Sequence, residues 1–328
     1  MEPTMMLRCA VLDDFQKVAT TLADWTSLTD SVEVVSFAEH FASEDELAAA
    51  LTGFDIVVTL RERVLFPASL FARLPRLQLL IASGMRNSVI DYAAARTHSV
   101  TVCGTDSSGT PPVELTWALL LGLARSIVPE STALRAGGPW QSTVGADLAG
   151  QRLGILGLGR IGSKVARIGQ AFGMEITAWS QNLTKEHADE ADATLAPSLS
   201  EALATSDFVT IHLALSDRTR GLLGARELSL LKPTAYLINT SRAAIVDQPA
   251  LIDTLRAGRI AGAALDVYDT EPLPAEHELR TVPRLLATPH LGYVSEQNYR
   301  TYYTQAVENI EAYLKGTPIR RIDTAPTP

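Results

Sequence analysis

"LGILGLGRIGSKVARIGQAFG", Leu153 to Gly173, decides the fold of this chain. An apolar strand-like run closes on Gly157, Gly159 and Gly162 in the spacing G-x-G-x-x-G, and a helix-like pattern follows at once. The strand before and the helix after give the motif its specificity. The first glycine permits a tight turn, the second lets the backbone approach a pyrophosphate, and the third lets helix and strand pack closely. Free amides at the helix start then face the phosphates. Gly157, Gly159, Arg160, Ile161 and Gly162 are therefore the candidate pyrophosphate residues, with Arg160 offering a charge-assisted contact. A glycine-rich turn that binds nothing is the plainer alternative.

Outward from this turn, the runs RLGILGLG, MEITAWS, DFVTIHL, AYLINTS, IAGAALDV and RLLATPH alternate with helical or loop segments, which predicts a six-stranded doubly wound sheet. The first hundred residues repeat the pattern in LRCAVLDD, SVEVVSFAE, FDIVVTL, LQLLIASG and SVTVCGT, so a second parallel sheet with crossover helices is expected. Between them TDSSGTPP, Thr105–Pro112, is a cluster of turn formers and marks a domain boundary. The run Val113–Val128 reads as one largely buried helix, RAGGPW as a turn, and Ser295–Gly316 as an amphipathic helix stopped by its glycine.

The 328 residues are enough for two domains, and 46% hydrophobic with 20% charged residues is a globular composition. No apolar run reaches the length of a membrane span. The formal charge of −9 opposes attraction to polyanions, so nucleic acid is not an expected partner. The segment around Glu2 lacks a basic flank and a small-residue cleavage site, and Cys9 and Cys103 sit in apolar runs as packing residues. A cytoplasmic protein is the expectation.

A strand about 20 residues beyond the glycine turn should end in an acid that takes the ribose hydroxyls of NAD. Here it ends in "ITAWSQNLTKE", where Ser180, Gln181 and Asn182 are neutral and Lys185 is the nearest cation. Neither the acid that repels a 2′-phosphate nor the arginine that pairs with one is present. NAD or NADP both stay open, with a lean to NAD. His212, at the end of DFVTIHL, is a further candidate cofactor contact.

Three later segments carry chemistry: LINTSRAAIVD with Arg242, LDVYDTEPL with Glu271, and ATPHLGY with His290. Each ends a predicted strand, on the sheet edge where open parallel sheets bind ligands. An arginine can hold a carboxylate and polarise a carbonyl through its planar donor fork, while a histidine beside a carboxylate is an acid/base pair near neutral pH. Singly, each has a bland reading: a helix-cap ion pair, an exposed turn residue before Pro272, a satisfied strand-end histidine.

In combination, and with SDFVTIHLALSDRTRGLL and LLKPTAYLINTSRAAIVD, these segments resemble the D-isomer-specific 2-hydroxyacid dehydrogenase family over nearly the whole chain, most strongly from Gly150 to Tyr293. The resemblance implies Arg242, Glu271 and His290 as catalytic residues, and Thr240, Asp266 and Gly292 as cofactor contacts. It implies an α/β fold in which a Rossmann dinucleotide-binding domain, residues 107–294, joins a smaller flavodoxin-like substrate domain made of 1–106 and 295–328, both with parallel sheets. A hinge near 105–112 and 292–297 is expected. A homodimer is implied too, with Val113–Val128 and the GGPW arm at its interface.

The chain departs from the family where the substrate loop, often a Gly-x-Gly turn, reads ASGMRNSVID. Ser83, Gly84 and Met85 are candidate substrate contacts through their backbone amides, together with Arg242 and His290. Arg61 and Arg63 either select an acidic or bulky keto acid or are solvated surface charges. Ala243 replaces a common glycine, and Glu271 rather than Gln speaks against the related formate dehydrogenases. His40, His98, His187 and His277 read as surface residues without metal-ligand spacing, and no metal is expected. The resulting expectation is an NAD(P)-dependent reductase of a small 2-keto acid. The alternative is a dinucleotide-sensing regulator of the same fold, similar to certain transcriptional corepressors.

Overall fold

The computed structural model describes residues 6–323. The chain divides into two units, one running through Ser108 and resuming at Ser295, the other Gly109–Val294.

In the first unit, strands β1 (Leu7–Val11), β2 (Val32–Ser36), β3 (Ile56–Thr59), β4 (Leu79–Ala82) and β5 (Thr101–Gly104) form an all-parallel sheet in the order β2-β1-β3-β4-β5. This is the flavodoxin-like order. IVVT and LLIA are buried at every residue, as strands covered by helices on both faces must be. The helix Glu296–Leu314, capped by the Ser295 hydroxyl, buries Tyr299, Tyr302, Tyr303, Ala306 and Ile310 at helical spacing. Beyond it, Gly104 donates to the Arg320 carbonyl at 2.8 Å and Ile322 to that of Val102 at 2.8 Å, so the chain's later segment covers the β5 edge.

In the second unit, β6 (Arg152–Leu156), β7 (Glu175–Trp179), β8 (Thr194–Leu195), β9 (Phe208–Ile211), β10 (Tyr236–Asn239), β11 (Gly262–Leu265) and β12 (Leu285–Ala287) are parallel in the order β12-β11-β10-β9-β6-β7-β8. That is the doubly wound Rossmann order, reversing direction between β6 and β9. The sheet has seven strands where six were expected. The extra one, β8, is two residues long, too short to leave a periodic signal.

The helix expected over Val113–Val128 is corrected. It spans Pro111–Ala124, Ser126 turns into the left-handed region at φ 49°, and a separate helix, Ile127–Arg135, follows with no buried residue. Val113, Trp117, Leu119, Leu120 and Ala124 lie in the unit's own core, so the apolar stripe ends when the sheet beneath it does. Cys9 and Cys103 are buried free thiols; burial pushes both up, Cys103 to about 11. Among the described residues no helix is long and apolar enough to cross a membrane, and no cluster of His, Cys, Asp and Glu has the makings of a metal site.

Candidate active site

At the end of β6 the three glycines differ in what surrounds them. Gly157 has φ +101°, and a Cβ there would lie 2.9 Å from the His212 carbonyl carbon. A Cβ on Gly162 would lie 2.1 Å from the Gly157 oxygen, so this position holds the helix Gly162–Ala171 against the strand. Around Gly159 nothing lies within 4 Å of that position. Two glycines thus serve the turn, and the middle one leaves bare backbone for a ligand, as a pyrophosphate cradle requires. Arg160 extends beside Gly109.

Beyond β7, Ser180 is partly buried and Gln181 and Asn182 are exposed. The nearest cation, Lys185, holds both carboxylate oxygens of Asp189, at 2.8 and 2.6 Å. The buried Nε2 of His212 has no hydrogen-bond partner among the described residues, and desolvation pushes this ring down to about 4. It is neutral at pH 7. The unfolded ring takes its proton near 6.5 and the folded ring near 4, so its stabilising contribution is complete above 6.5 and is lost as pH falls toward 4. In melts without added nucleotide, His212→Gln should therefore remove about 2 kcal/mol of the stability that the parent loses between pH 7 and pH 5. Parallel pH profiles for the two proteins would refute this.

The turn after β10 is built by a fully buried Asn239, whose Oδ1 accepts from the Ser241 amide at 3.0 Å while its Nδ2 donates to the Arg242 carbonyl at 3.0 Å. Ser241 adds a 2.5 Å bond to the Leu213 carbonyl, and Arg242 Nη1 donates to the Ser241 carbonyl at 2.9 Å. Arg242 is thus carried by a turn fixed through backbone groups. Past β11, Glu271 Oε1 accepts from the Tyr268 amide at 2.9 Å, and its Oε2 lies 2.5 Å from His290 Nδ1. Each of these two side chains is one-quarter exposed. With Nδ1–H donated to a carboxylate, the tautomer is fixed and Nε2 is the nitrogen left to exchange a proton.

His290 has φ +52°, an uncommon conformation for a residue with a Cβ. Asp266 explains how it is held. Fully buried at the end of β11, it accepts from Thr288 Oγ1 at 2.7 Å, the Leu291 amide at 2.7 Å and the Gly292 amide at 2.8 Å. The Tyr293 ring packs in a T-shaped pair with the imidazole, their centroids 5.5 Å apart. Burial raises the Asp266 carboxyl, with the Thr288, Leu291 and Gly292 bonds and the nearby His290 pulling the other way. Asp266 and Gly292, expected as cofactor contacts, are first of all the clamp on the loop that carries His290. Asn239, Ser241, Tyr268 and Thr288 were not singled out in the sequence; a polar residue at the buried end of a strand was the signal for Asn239.

In the first unit, Arg61 follows β3 at φ +54°, its amide donating to Ser83 Oγ at 2.8 Å. Gly84 has φ +92°, a backbone conformation that suits glycine, and Arg61 Nη1 lies 2.6 Å from where its Cβ would be, so the guanidinium rests directly on this turn. Arg61, Ser83 and Gly84 are therefore brought together, and Met85, 43% exposed, reaches back to Gly104. Not every amide of this loop is available to a carboxylate: Gly84 donates to Thr105 Oγ1 at 2.9 Å. The amides of Met85 and Arg86 make no hydrogen bond among the described residues. Arg63 is not a solvated charge, for its guanidinium stacks 4.9 Å over the Phe15 ring. Nor is His40 a plain surface residue: its Nδ1 lies 2.9 Å from Oδ1 of the buried Asp13.

The sequence profile of the D-isomer specific 2-hydroxyacid dehydrogenase NAD binding domain matches residues 117–292. The chain is 39% identical over 256 residues to the glyoxylate reductase of Aeropyrum pernix, covering 75% of this chain and 76% of that protein. It is 34% identical over 295 residues to the D-3-phosphoglycerate dehydrogenase of Bacillus subtilis, covering 89% of this chain but 54% of that protein, so it spans about half the length of that relative. Among solved structures, a phosphoglycerate oxidoreductase from Vibrio cholerae o395 matches with a TM-score of 0.90 at 34% identity, covering 95% of this chain and 100% of that one.

Proposed function

The chain belongs to the D-isomer-specific 2-hydroxyacid dehydrogenase family, and from that premise we propose that it reduces a small 2-keto acid to the D-2-hydroxy acid, with His290 as acid/base, Glu271 as its support and Arg242 as the substrate clamp. The 2.5 Å pair of Glu271 and His290, on the same sheet edge as the Gly157–Gly162 cradle, carries this reading.

A bound reduced nicotinamide supplies the hydride. Arg242 engages the substrate carboxylate and polarises the carbonyl, so negative charge growing on that oxygen meets a fixed cation. As hydride reaches carbon 2, His290 Nε2 gives its proton to the carbonyl oxygen, completing the CH–OH group. Glu271 holds the ring by Nδ1–H, which fixes its orientation and leaves Nε2 toward the reacting oxygen. Ser180, Gln181 and Asn182 suit a ribose diol, and Lys185 is paired with Asp189, so NADH is the favoured cofactor. The relatives carry enzyme names, which favours turnover over dinucleotide sensing.

The test is loss of reduced-nicotinamide absorbance with NADH and with NADPH, each against glyoxylate, hydroxypyruvate, pyruvate and phenylpyruvate. Turnover with at least one keto acid, faster with NADH, is expected; none with any pair would overturn the assignment.

The enzyme is further assigned to the cytoplasm, a placement that two buried free thiols suit, and to a homodimer. Ile127, Val128, Leu134, Trp140 and Val144 are 50–101% exposed on one arm, a concentration of apolar surface that soluble chains cover. Glu130 folds that arm by accepting from Ser142 Oγ at 2.9 Å and Thr143 Oγ1 at 2.6 Å. The interface falls on 127–144, because the earlier half of Val113–Val128 is already in the core. Ile127→Asp with Leu134→Asp should shift the sedimentation mass from two chains to one; an unchanged mass would exclude this arm.

A further inference from the structure

Thr116 lies in the helix Pro111–Ala124, fully buried, with its hydroxyl 2.7 Å from the Pro112 carbonyl and 2.8 Å from the hydroxyl of Thr240. A carbonyl oxygen only accepts. The single Thr116 proton therefore goes to Pro112, and the contact with Thr240 is made by the Thr240 proton. With its one proton engaged, Thr240 can offer anything else only lone pairs.

Thr240 stands at the end of β10, next in register to Asp266 at the end of β11, since Asn239 pairs with Leu265. The glycine turn fixes the pyrophosphate at β6, and β7 leads to the adenosine ribose, so the nicotinamide half of a dinucleotide extends over β9, β10 and β11. Its carboxamide carries both a donor, the NH2 group, and an acceptor, the oxygen. Which of the two turns toward β10 depends on what Thr240 presents.

We infer that Thr116 is a positioning residue for the cofactor: by taking the Thr240 proton it makes Thr240 an acceptor, so that the site selects the NH2 side of the nicotinamide carboxamide. The inference rests on the dinucleotide reading of this site. The Asp266 carboxylate, one strand over, accepts as well, and two neighbouring acceptors suit an NH2 group with two N–H bonds. A rotatable Thr240 hydroxyl would instead accommodate either side, loosening the pose from which one face of the ring is offered.

The test compares dissociation constants, read from quenching of protein fluorescence, for NADH and for its 3-acetylpyridine analogue, in which a methyl ketone replaces the amide and the donor is lost. The parent should prefer NADH. Thr116→Val, of the same shape without the hydroxyl, frees the Thr240 proton to meet the ketone, and the preference should shrink by about fivefold, the scale of one ordinary hydrogen bond. Thr116→Ser should keep it, and Thr240→Val should weaken it to the part that Asp266 alone supports. An undiminished preference in Thr116→Val or in Thr240→Val overturns the inference. If the parent binds neither nucleotide, the dinucleotide reading itself fails, a separate and recognisable result.

Discussion

Replacing His290 with alanine should lower kcat by about three orders of magnitude while leaving the NADH dissociation constant within about twofold. Loss of a positioned general acid typically costs 10²–10⁴-fold, and Glu271 is not placed to stand in for it, because it meets the ring at Nδ1, the far nitrogen. Alanine introduces a complication of its own, since position 290 sits at φ +52°, where a residue with a Cβ is held at a cost of about 1 kcal/mol. Asparagine tolerates that conformation. His290→Asn should therefore melt close to the parent and still show the full loss of turnover. Single-turnover oxidation of NADH and a nucleotide titration on the same preparation decide it. If His290→Asn retains more than about a tenth of the parent kcat, the proton comes from elsewhere and the assignment of His290 is wrong.

The glycine turn, the parallel sheets and the three catalytic candidates were legible because each rests on a local pattern: alternating apolar runs, a spacing of glycines, a polar residue just past a strand. What could not be read is the set of partnerships that form only when distant segments meet. Asp266 was legible as a polar residue past a strand, but its hydrogen bonds run to residues 22 to 26 positions later, and no spacing rule announces that a carboxylate will gather Thr288, Leu291 and Gly292 into one loop. The Gly84 amide looked available, but Thr105 arrives beside it from the neighbouring strand β5. The apolar run through Val128 looked like one helix because hydrophobicity was mistaken for burial. After Ala124 the same residue types serve an exposed arm, and only the left-handed Ser126 marks the change. Strand β8 failed for the opposite reason, being too short to have a pattern at all. In each case the local signal was sound, and the outcome depended on what packed against it.

Arg242→Ala should reduce kcat/KM for the keto acid by about a thousandfold, with most of the loss in kcat. A charge-assisted bidentate contact to a carboxylate contributes binding to the ground state, but polarisation of the carbonyl grows only as negative charge develops on its oxygen. The turn should survive the change, since Asn239 and Ser241 fix it through backbone groups and position 242 has the extended φ of −141° that alanine readily adopts. NADH affinity and melting temperature are therefore the controls, and both should stay near the parent values. Arg242→Lys gives the sharper reading. It restores the charge but not the planar fork, so it should recover KM more than kcat and remain at least about tenfold below the parent. Were Arg242 merely an ion-pairing residue of the turn, lysine would restore activity almost fully, and alanine would lower the melting temperature along with turnover. A kcat loss in Arg242→Ala at unchanged stability, only partly relieved by lysine, is the pattern that places the guanidinium on the reacting carbonyl.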